Sequence, residues 1–298
     1  TKQKELTTIS IFQKGSWIYV EKPTTEEIDE LVEKLDLEKG HLKDALDINE
    51  VPRLEQENNA TYIFTRFAYT ENNRIETAPL LTIIKKNFFI TLSSIPFQRL
   101  EKLKETNKFG TTTNQSKLLI SIFSQTMRSY NDYLNIISKK VRLSTTNLEK
   151  IKNRDIVQFV QYESVLNDFI LSLVRTNTVI HSLLPGKITS LSDDEYDLLE
   201  DVSLYNGQLI QISNENLKSI VNIREAYSTI MTNNLNQVIK LFTSLTVVLT
   251  IPTIVSSFYG MNVNLPFDDH PYAFFMIFGI TMAIVICIVV WFNKKNWL

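Results

Sequence analysis

Small polar side chains recur every seven residues near the C-terminal end of the sequence. One series is Thr229, Asn236, Thr243, Thr250 and Ser257, and a second series is Thr232, Ile239, Thr246, Thr253 and Gly260. Steps of seven residues, with the two series offset by three, place side chains on the same face of an α-helix. The spacing therefore predicts a helix with one edge of neutral oxygens. We call its C-terminal part the polar stripe: Asn236, Ile239, Thr243, Thr246, Thr250, Thr253 and Ser257.

Two uncharged segments predict helices that cross a membrane. Residues 241–259 and 272–292 contain no Asp, Glu, Lys or Arg, and a helix needs roughly 20 residues to span a bilayer. Buried core helices are the alternative, but residues 274–291 are apolar on every side, which is unusual for such helices. Because both segments lie at the C-terminal end of the sequence, we do not expect either to be a signal peptide.

Basic residues flank the two segments on one side only. Lys240 precedes the first segment, and Lys294 and Lys295 form a basic tail after the second. The connecting residues 260–271 contain no Lys or Arg. The positive-inside rule therefore places both termini in the cytoplasm and the connection outside, as in a multi-pass protein of the plasma or inner membrane.

The polar stripe has two interpretations. Small hydroxyl residues let transmembrane helices pack closely, or they line a pore with weakly coordinating oxygens. Mg²⁺ gives up its water reluctantly, so a pore for it should hydrogen-bond the water shell through neutral oxygens. One span per chain cannot enclose a channel, so the pore interpretation requires a ring of identical chains and predicts a homo-oligomer.

Composition argues against several other classes of protein. The formal net charge is -2, which gives no indication of nucleic-acid binding, and Cys287 is the single cysteine. The three histidines lie far apart in the sequence, and no nucleophile elbow, P-loop or dinucleotide fingerprint occurs. We therefore expect no enzyme activity, no organic cofactor and no nucleic-acid partner.

The fold class expected is α+β. Strand signals lie at residues 9–12, 17–20, 61–70, 80–84 and 88–92, a helix follows the capping box of Thr24, and a turn begins at Glu71. From residue 117 the pattern is helical, with helices predicted at 118–150, 155–184 and 193–259. The last would start at a Ser192 cap and extend on the order of 100 Å. The expected divisions are 1–115 (cytoplasmic α/β domain), 116–240 (long helices and stalk), 241–259 (pore helix), 260–271 (external loop), 272–292 (second span) and 293–298 (basic tail).

The end of the long helix resembles the signature of a known family. Tyr259-Gly260-Met261-Asn262 closes the first of two C-terminal spans, and the chain ends Lys294-Lys295-Asn296-Trp297-Leu298. This combination resembles the CorA family of magnesium channels. The resemblance is specific over residues 201–298, and Pro52-Arg53-Leu54-Glu55 is a weaker match upstream.

The resemblance implies a funnel-shaped homopentamer that admits Mg²⁺, and also Co²⁺ or Ni²⁺, passively into the cytoplasm. It assigns Gly260, Met261 and Asn262 to the selectivity filter, where the Asn262 amide would receive the hydrated ion. It assigns Thr253 and Asn236 to further polar rings, so the family's pore face coincides with the polar stripe.

Some positions depart from the family pattern. Ile239 stands where Met is common, and Thr250 replaces a ring that is often apolar, so the apolar constriction is expected to be short and to depend on Ile239. Phe242 lies where the family often has Leu. In the external loop, the acidic attraction for cations shifts to Asp268 and Asp269.

The family senses cytoplasmic Mg²⁺ through acidic residues between subunits. Counting back along an ungapped helix places Asp201 at the sensor position, and Glu71 of a neighbouring subunit is the candidate partner. A solvated acidic helix face is the other interpretation of Asp201. Regulatory Mg²⁺ is therefore expected beside transported Mg²⁺.

Two alternative functions remain open at this point. A Zn²⁺ transporter of the same superfamily often carries Gly-Ile-Asn, so Met261 favours the magnesium branch. A membrane-anchored sensor or scaffold that conducts nothing would explain two spans and a soluble domain, but it would not explain the polar stripe.

Overall fold

The computed structural model describes residues 9, 12–106, 111–186, 191–263, 265–266, 271–295 and 297. It divides into two compact units, Thr1–Ile223 and Arg224–Leu298. The elements in chain order are β1 (Ser16–Glu21), α1 (Thr25–Leu35), α2 (Lys39–Asp44), β2 (Arg53–Glu57), β3 (Ala60–Glu71), β4 (Arg74–Lys85), β5 (Phe88–Ser93), α3 (Gln98–Thr106), α4 (Gln115–Thr145), a 3₁₀ helix (Leu148–Lys150), α5 (Asn153–Leu183), α6 (Asp193–Tyr259) and α7 (Ala273–Lys294). The expected α+β class, with long helices and two C-terminal apolar helices, is confirmed.

A five-stranded mixed sheet forms the centre of the first unit. The strand order is β1-β5-β4-β3-β2, with β1 parallel to β5 and every other neighbouring pair antiparallel. Asn72 and Asn73 connect β3 to β4 with φ of 49° and 63°. Asparagine tolerates this left-handed backbone, which two-residue hairpin turns require. The predicted turn after Glu71 is therefore confirmed.

Side-chain alternation along the strands produces two hydrophobic cores. On β3, Tyr62 and Phe64 face one way and pack with residues of α1 and α2. Ile63 and Phe67 face the other way and pack with α3, α4, α5 and the part of α6 in this unit. Successive strand residues point to opposite faces, so one strand with continuous apolar sequence supplies both layers.

The start of α1 matches the predicted capping box. Glu27 donates its backbone N–H to Thr24 Oγ1 at 3.3 Å, and the Thr24 N–H donates to the Glu27 carboxylate at 2.8 Å. At the end of α5, Gly186 adopts φ of 67° and donates its N–H to the Leu183 carbonyl at 3.0 Å. These local hydrogen bonds fix both helix ends.

The long helix α6 runs from Asp193 to Tyr259 as predicted. Its first turn is closed by a second capping box, in which Glu195 donates its N–H to Ser192 Oγ at 3.4 Å and Ser192 donates its N–H to the Glu195 carboxylate at 3.0 Å. Both α6 and α7 are long and apolar enough to cross a membrane, with mean hydropathy of 2.0 and 2.9 over their most apolar windows.

The structure also differs from the sequence prediction at several elements. Residues Ile9 and Phe12 lie outside any strand, and the two residues between them are outside the described part of the chain. The helix predicted at 118–150 ends at Thr145, because a turn and a 3₁₀ helix follow. The Pro52-Arg53-Leu54-Glu55 motif itself enters strand β2, and α2 and α3 are additional short helices.

Candidate functional site

The polar stripe lies on an exposed face of α6 within the second unit. All seven of its residues are exposed to solvent in the single chain, and the apolar Ile239 among them is 51% exposed. An apolar side chain exposed on a helix that can span a membrane needs lipid, another subunit or a dry constriction around it. The other residues described in this unit therefore leave the stripe uncovered.

The opposite face of α6 carries the buried residues. Ser244 is 0% exposed, and Val248, Ile251 and Val255, spaced at helical intervals after it, are partly buried. On α7 a matching row is buried or partly buried: Ile277, Thr281, Val285, Ile288 and Phe292. We infer that these two rows pack together, since they have the spacing of helix faces in contact.

The direction in which the stripe points helps to decide between its two interpretations, close packing of helices and lining of a pore. With about 100° of rotation per residue, the stripe points on average roughly 130° away from the direction of Ser244. Close packing of α6 on α7 thus uses the other side of the helix. Small hydroxyl residues on the stripe do not serve the contact between the two apolar helices of the same chain.

The threonine hydroxyls of the stripe have their protons directed back into the helix. Each donates to the carbonyl four residues earlier: Thr243 to Ile239 at 2.8 Å, Thr246 to Phe242 at 2.8 Å, Thr250 to Thr246 at 2.7 Å and Thr253 to Leu249 at 2.9 Å. A hydroxyl whose proton is committed can still accept through its lone pairs. The stripe therefore presents hydrogen-bond acceptors, which suit the outward-pointing protons of a hydrated cation.

The chain leaves α6 through a tight turn at Gly260. Its N–H donates to the Ser256 carbonyl at 3.0 Å, and a Cβ atom added at this position would lie 3.3 Å from the same oxygen. A larger residue at this position would therefore be crowded by the preceding turn of the helix. Met261 is 53% exposed and Asn262 is exposed in the single chain, so both residues predicted to form the filter are open to contact.

The loop and tail residues are only partly described. Asp268 and Asp269 lie outside the described residues. Lys294 is the last residue of α7, Lys295 follows it as the cap, and both are exposed. Basic residues at a helix C-terminus interact favourably with the helix dipole.

The two sensor candidates both lie in the first unit and are both exposed. Asp201 lies on the third turn of α6, and Glu71 is the last residue of β3. Within the described residues no group of three His, Cys, Asp or Glu side chains is placed to hold a metal ion. A site that uses Asp201 and Glu71 would therefore need a second copy of the chain.

A carboxylate that the sequence interpretation missed lies beside Glu71. Tyr69 pairs with Glu76 across the β3–β4 hairpin, and its hydroxyl lies 3.2 Å from the Glu76 carboxylate. Burial together with the carboxylates of Glu76 and Glu71 raises the pKa of Tyr69 to about 12. The sequence did contain a signal for Glu76. A two-residue turn at Asn72-Asn73 predicts a hairpin in which residues 69 and 76 lie opposite each other.

Comparisons with known proteins agree with the resemblance seen in the sequence. The family model described as CorA-like Mg2+ transporter protein matches residues 12–295. The chain is 24% identical over 289 residues to a cobalt/magnesium transport protein CorA of Methanocaldococcus jannaschii, which covers 95% of this chain and 91% of that protein.

Solved structures show the same fold. The complete structure of the CorA magnesium transporter from Methanocaldococcus jannaschii aligns with a TM-score of 0.85 at 23% identity, covering 95% of this chain and 91% of that one. The full-length CmaX protein aligns with a TM-score of 0.76 at 15% identity, covering 98% of this chain and 91% of that one. With the family model matched over nearly its whole length, this chain belongs to the CorA-like Mg²⁺ transporter protein family.

Proposed function

We propose that this chain is one subunit of a homopentameric channel that admits hydrated Mg²⁺, and also Co²⁺ or Ni²⁺, into the cytoplasm. Flux is passive and is driven by the membrane potential. The protein spans the plasma or inner membrane twice, with both termini in the cytoplasm, and requires no organic cofactor. The proposal is supported by membership of the CorA-like family and by the name of the Methanocaldococcus jannaschii relative, which is a cobalt/magnesium transport protein.

The single observation that carries the proposal is the position of the polar stripe. It is exposed, it presents acceptor oxygens, and it lies on the side of α6 away from the buried row that includes Ser244. Facing lipid, these oxygens would gain no hydrogen bonds and would replace apolar contacts. Facing a shared aqueous axis, they accept hydrogen bonds from the water shell of an ion.

Neutral oxygens suit rapid passage of Mg²⁺. A ring of fixed carboxylates would bind the ion too tightly for release, whereas hydroxyl and amide groups hold its hydration shell weakly. The stripe contains no acidic residue. Asn262 forms the outer ring, where its amide oxygen receives the hydrated ion, while Gly260 and Met261 shape the turn that presents it.

Each segment has a separate role in this proposal. Residues 1–115 form the cytoplasmic α/β domain, 116–240 the long helices and stalk, and 241–259 the pore helix. Residues 260–271 form the external loop, in which Asp268 and Asp269 attract cations. Residues 272–292 form the second span, and the tail at 293–298 holds Lys294 and Lys295 in the cytoplasm.

The gate in this proposal is the apolar ring of Ile239 near the cytoplasmic end of the stripe. Rings of apolar side chains close pores by excluding water. At high internal Mg²⁺, ions bridge Asp201 to Glu71 of the next subunit, with Glu76 adding a further carboxylate, and hold the ring symmetric. When Mg²⁺ falls, the acidic residues repel one another and the ring opens.

The membrane potential supplies enough free energy for uptake without ATP. A doubly charged ion gains roughly 4.6 kcal/mol per 100 mV, twice the figure for a single charge. A membrane potential that is negative inside is therefore sufficient by itself to concentrate Mg²⁺ in the cytoplasm by a large factor.

The proposal is tested by ion flux in liposomes that contain the purified full chain. A K⁺ diffusion potential, negative inside, should drive Mg²⁺ entry, and reversal of a pH gradient should not change its rate. The Asn262→Ala variant should lose Mg²⁺ uptake while its oligomer size stays the same, because the outer ring loses its amide oxygens. Asn222→Ala, an exposed asparagine on α6 outside the stripe, is the matched control and should transport normally.

Other outcomes identify the rival functions. Zn²⁺ flux that follows the pH gradient, with little Mg²⁺ flux, would favour a Zn²⁺ transporter. No flux of either ion, from a chain that inserts and assembles, would favour a sensor or scaffold. Normal uptake by Asn262→Ala would remove Asn262 from the filter.

A further inference from the structure

A cavity of about 790 Å³ lies between helix α5 and the β3–β4 hairpin, within the first unit. One wall is the hairpin segment 73–77 together with Arg66. Residues of the segment 48–52, before β2, form the second wall, and the third is a face of α5 between Gln158 and Arg175. Small-molecule sites in proteins commonly have volumes of roughly 300–1,000 Å³. The cavity is therefore large enough for a ligand the size of a nucleotide.

Neutral groups hold Arg66 in the wall of this cavity. Its Nη1 donates to the carbonyls of Ile48 at 2.8 Å and Glu50 at 2.5 Å, and its Nε donates to Thr77 Oγ1 at 3.0 Å. Carbonyl and hydroxyl oxygens satisfy the donors of a guanidinium group, but they do not neutralise its charge. Burial lowers the pKa of Arg66, because the cation has lost hydration without full replacement. Arg66 therefore gives the wall a fixed positive charge.

Two further arginines line the same cavity. Arg74 is the first residue of β4 and Arg175 lies on α5, and both are exposed. Neither forms an ion pair with a side chain that the structure describes. A planar guanidinium group can bind a phosphate through two parallel hydrogen bonds. Three arginines from separate parts of the chain therefore favour a ligand that carries phosphate.

Two carboxylates line the cavity as well, but they do not cancel this preference. The Glu76 carboxylate accepts a hydrogen bond from the Tyr69 hydroxyl at 3.2 Å. Burial raises the pKa of Asp168, against the opposing effect of Arg66, so the ionised form of this carboxyl is disfavoured. Three arginines against two carboxylates leave the lining with an excess of positive charge. Asp168 should repel a bound phosphate, and this repulsion gives a test of the sign of the ligand's charge.

Uncharged polar side chains lie on the α5 wall. Tyr162 is partly buried, and its hydroxyl accepts a hydrogen bond from the Gln158 side chain at 2.9 Å. Gln161 on α5 and Asn49 on the opposite segment add amides, which can both donate and accept. An aromatic ring beside amide groups suits a nucleobase, which stacks on such rings and forms hydrogen bonds through its edge. A simple phosphate ion would need only the arginines.

We propose that this cavity binds a nucleoside triphosphate. The phosphates contact Arg74 and Arg175 beside the fixed charge of Arg66, and the base lies along Tyr162. The nucleotide is a bound ligand and not a source of energy, so transport is still driven by the membrane potential. Because every residue of the site lies in the first unit, binding can be measured whether or not the chain conducts ions.

The test measures equilibrium binding of radiolabelled ATP to the purified full chain in detergent. EDTA is present throughout, so that divalent cations bound elsewhere on the chain do not contribute. We expect saturable binding of ATP. Inorganic triphosphate should compete only at higher concentration, because it lacks the base that contacts Tyr162, and adenosine should not compete because it lacks phosphate.

Single charge changes at exposed positions supply the matched comparison. Arg175→Gln should weaken ATP binding about tenfold or more, because a hydrogen bond between charged groups is lost. Asp168→Asn should tighten binding about threefold or more, since a like charge is removed. Arg142→Gln removes the same charge as Arg175→Gln at an exposed position on α4 outside the cavity, and it should bind normally. Arg66 is left unchanged because its hydrogen bonds hold the segment that begins at Ile48.

Four results would overturn the proposal. These are an absence of ATP binding, equal weakening by Arg175→Gln and Arg142→Gln, weaker binding by Asp168→Asn, and competition by inorganic triphosphate as strong as that by ATP itself. Thermal unfolding of each variant shows whether its first unit is folded. Mg²⁺ flux in liposomes is measured separately, so a failure of the channel proposal leaves the binding results unaffected.

Discussion

The hydrogen bond of the Thr250 hydroxyl determines which of its atoms can interact with the surroundings. Its hydroxyl donates to the Thr246 carbonyl at 2.7 Å, so its lone pairs are left to accept. Thr281 on α7 makes the same hydrogen bond, to Ile277 at 2.8 Å, but it is buried. The two residues share local chemistry and differ in what they face.

We predict that Thr250→Val lowers Mg²⁺ uptake, because valine keeps the shape of threonine and removes its acceptor. Each lost hydrogen bond contributes about 1 kcal/mol, so the rate should fall about fivefold or more in a ring of subunits. The measurement is initial Mg²⁺ flux in liposomes, compared with thermal stability in detergent. Thr281→Val is the control and should transport at the normal rate. Equal effects of both substitutions would show that the stripe has no special contact with the ion.

The N-terminus of α6 is stabilised by the Glu195 carboxylate in its first turn. Burial alone would raise the pKa of the Glu195 carboxyl, but hydrogen bonds from the Ser192 N–H and the Asn114 side chain hold that pKa below its usual value. An acidic group in this position also interacts favourably with the helix dipole. The ionised carboxylate therefore stabilises the folded unit.

The sign of the pH dependence follows from this lowered pKa. The stabilisation is complete above the unfolded pKa and is lost as the pH falls through the lower, folded pKa. We predict that Glu195→Gln is less stable than the parent by about 0.5 kcal/mol near neutral pH, and that this difference disappears in acid. Unfolding midpoints measured across the acid range check this result. Glu200→Gln, exposed and beyond the first turn, should show no such convergence; a constant deficit for Glu195→Gln would indicate a packing role alone.

The proposed activity requires an assembly of several copies of the chain. One polar stripe cannot surround an axis, and Asp201 and Glu71 form no metal site with other described residues of their own chain. The family match extends over residues 12–295 and thus includes both the acidic candidates and the apolar helices. Regulation by Mg²⁺ is therefore a property expected of the assembly.

We predict that Asp201→Lys leaves Mg²⁺ currents insensitive to internal Mg²⁺, since a cation at that position cannot share a bridging ion. Patch recordings or liposome flux at rising internal Mg²⁺ provide the measurement. Asp197→Lys makes the same charge change one turn earlier on α6, at another exposed position, and should keep normal inhibition. If Asp201→Lys is inhibited like the parent, Asp201 is a solvated surface residue.

The sequence was sufficient where the controlling interactions are local. The capping boxes of Thr24 and Ser192 connect residues three positions apart, and the bounds of α6 followed from such a cap, the absence of early proline and the Gly260 exit. Apolar helices of membrane length also depend only on composition along one segment. Family membership followed from a motif at a defined position relative to those segments.

The tertiary structure was needed where distant residues meet. Strand β2 is polar and gains its place only by pairing with β3, while α2 and α3 are too short for a periodic signal. The periodicity of the stripe was visible in the sequence, but its direction depends on which face of α6 is buried around Ser244. Likewise, Glu76 lies beside Tyr69 only because the β3–β4 hairpin pairs these two residues. Periodicity specifies which side chains share a face, and only packing decides what that face meets.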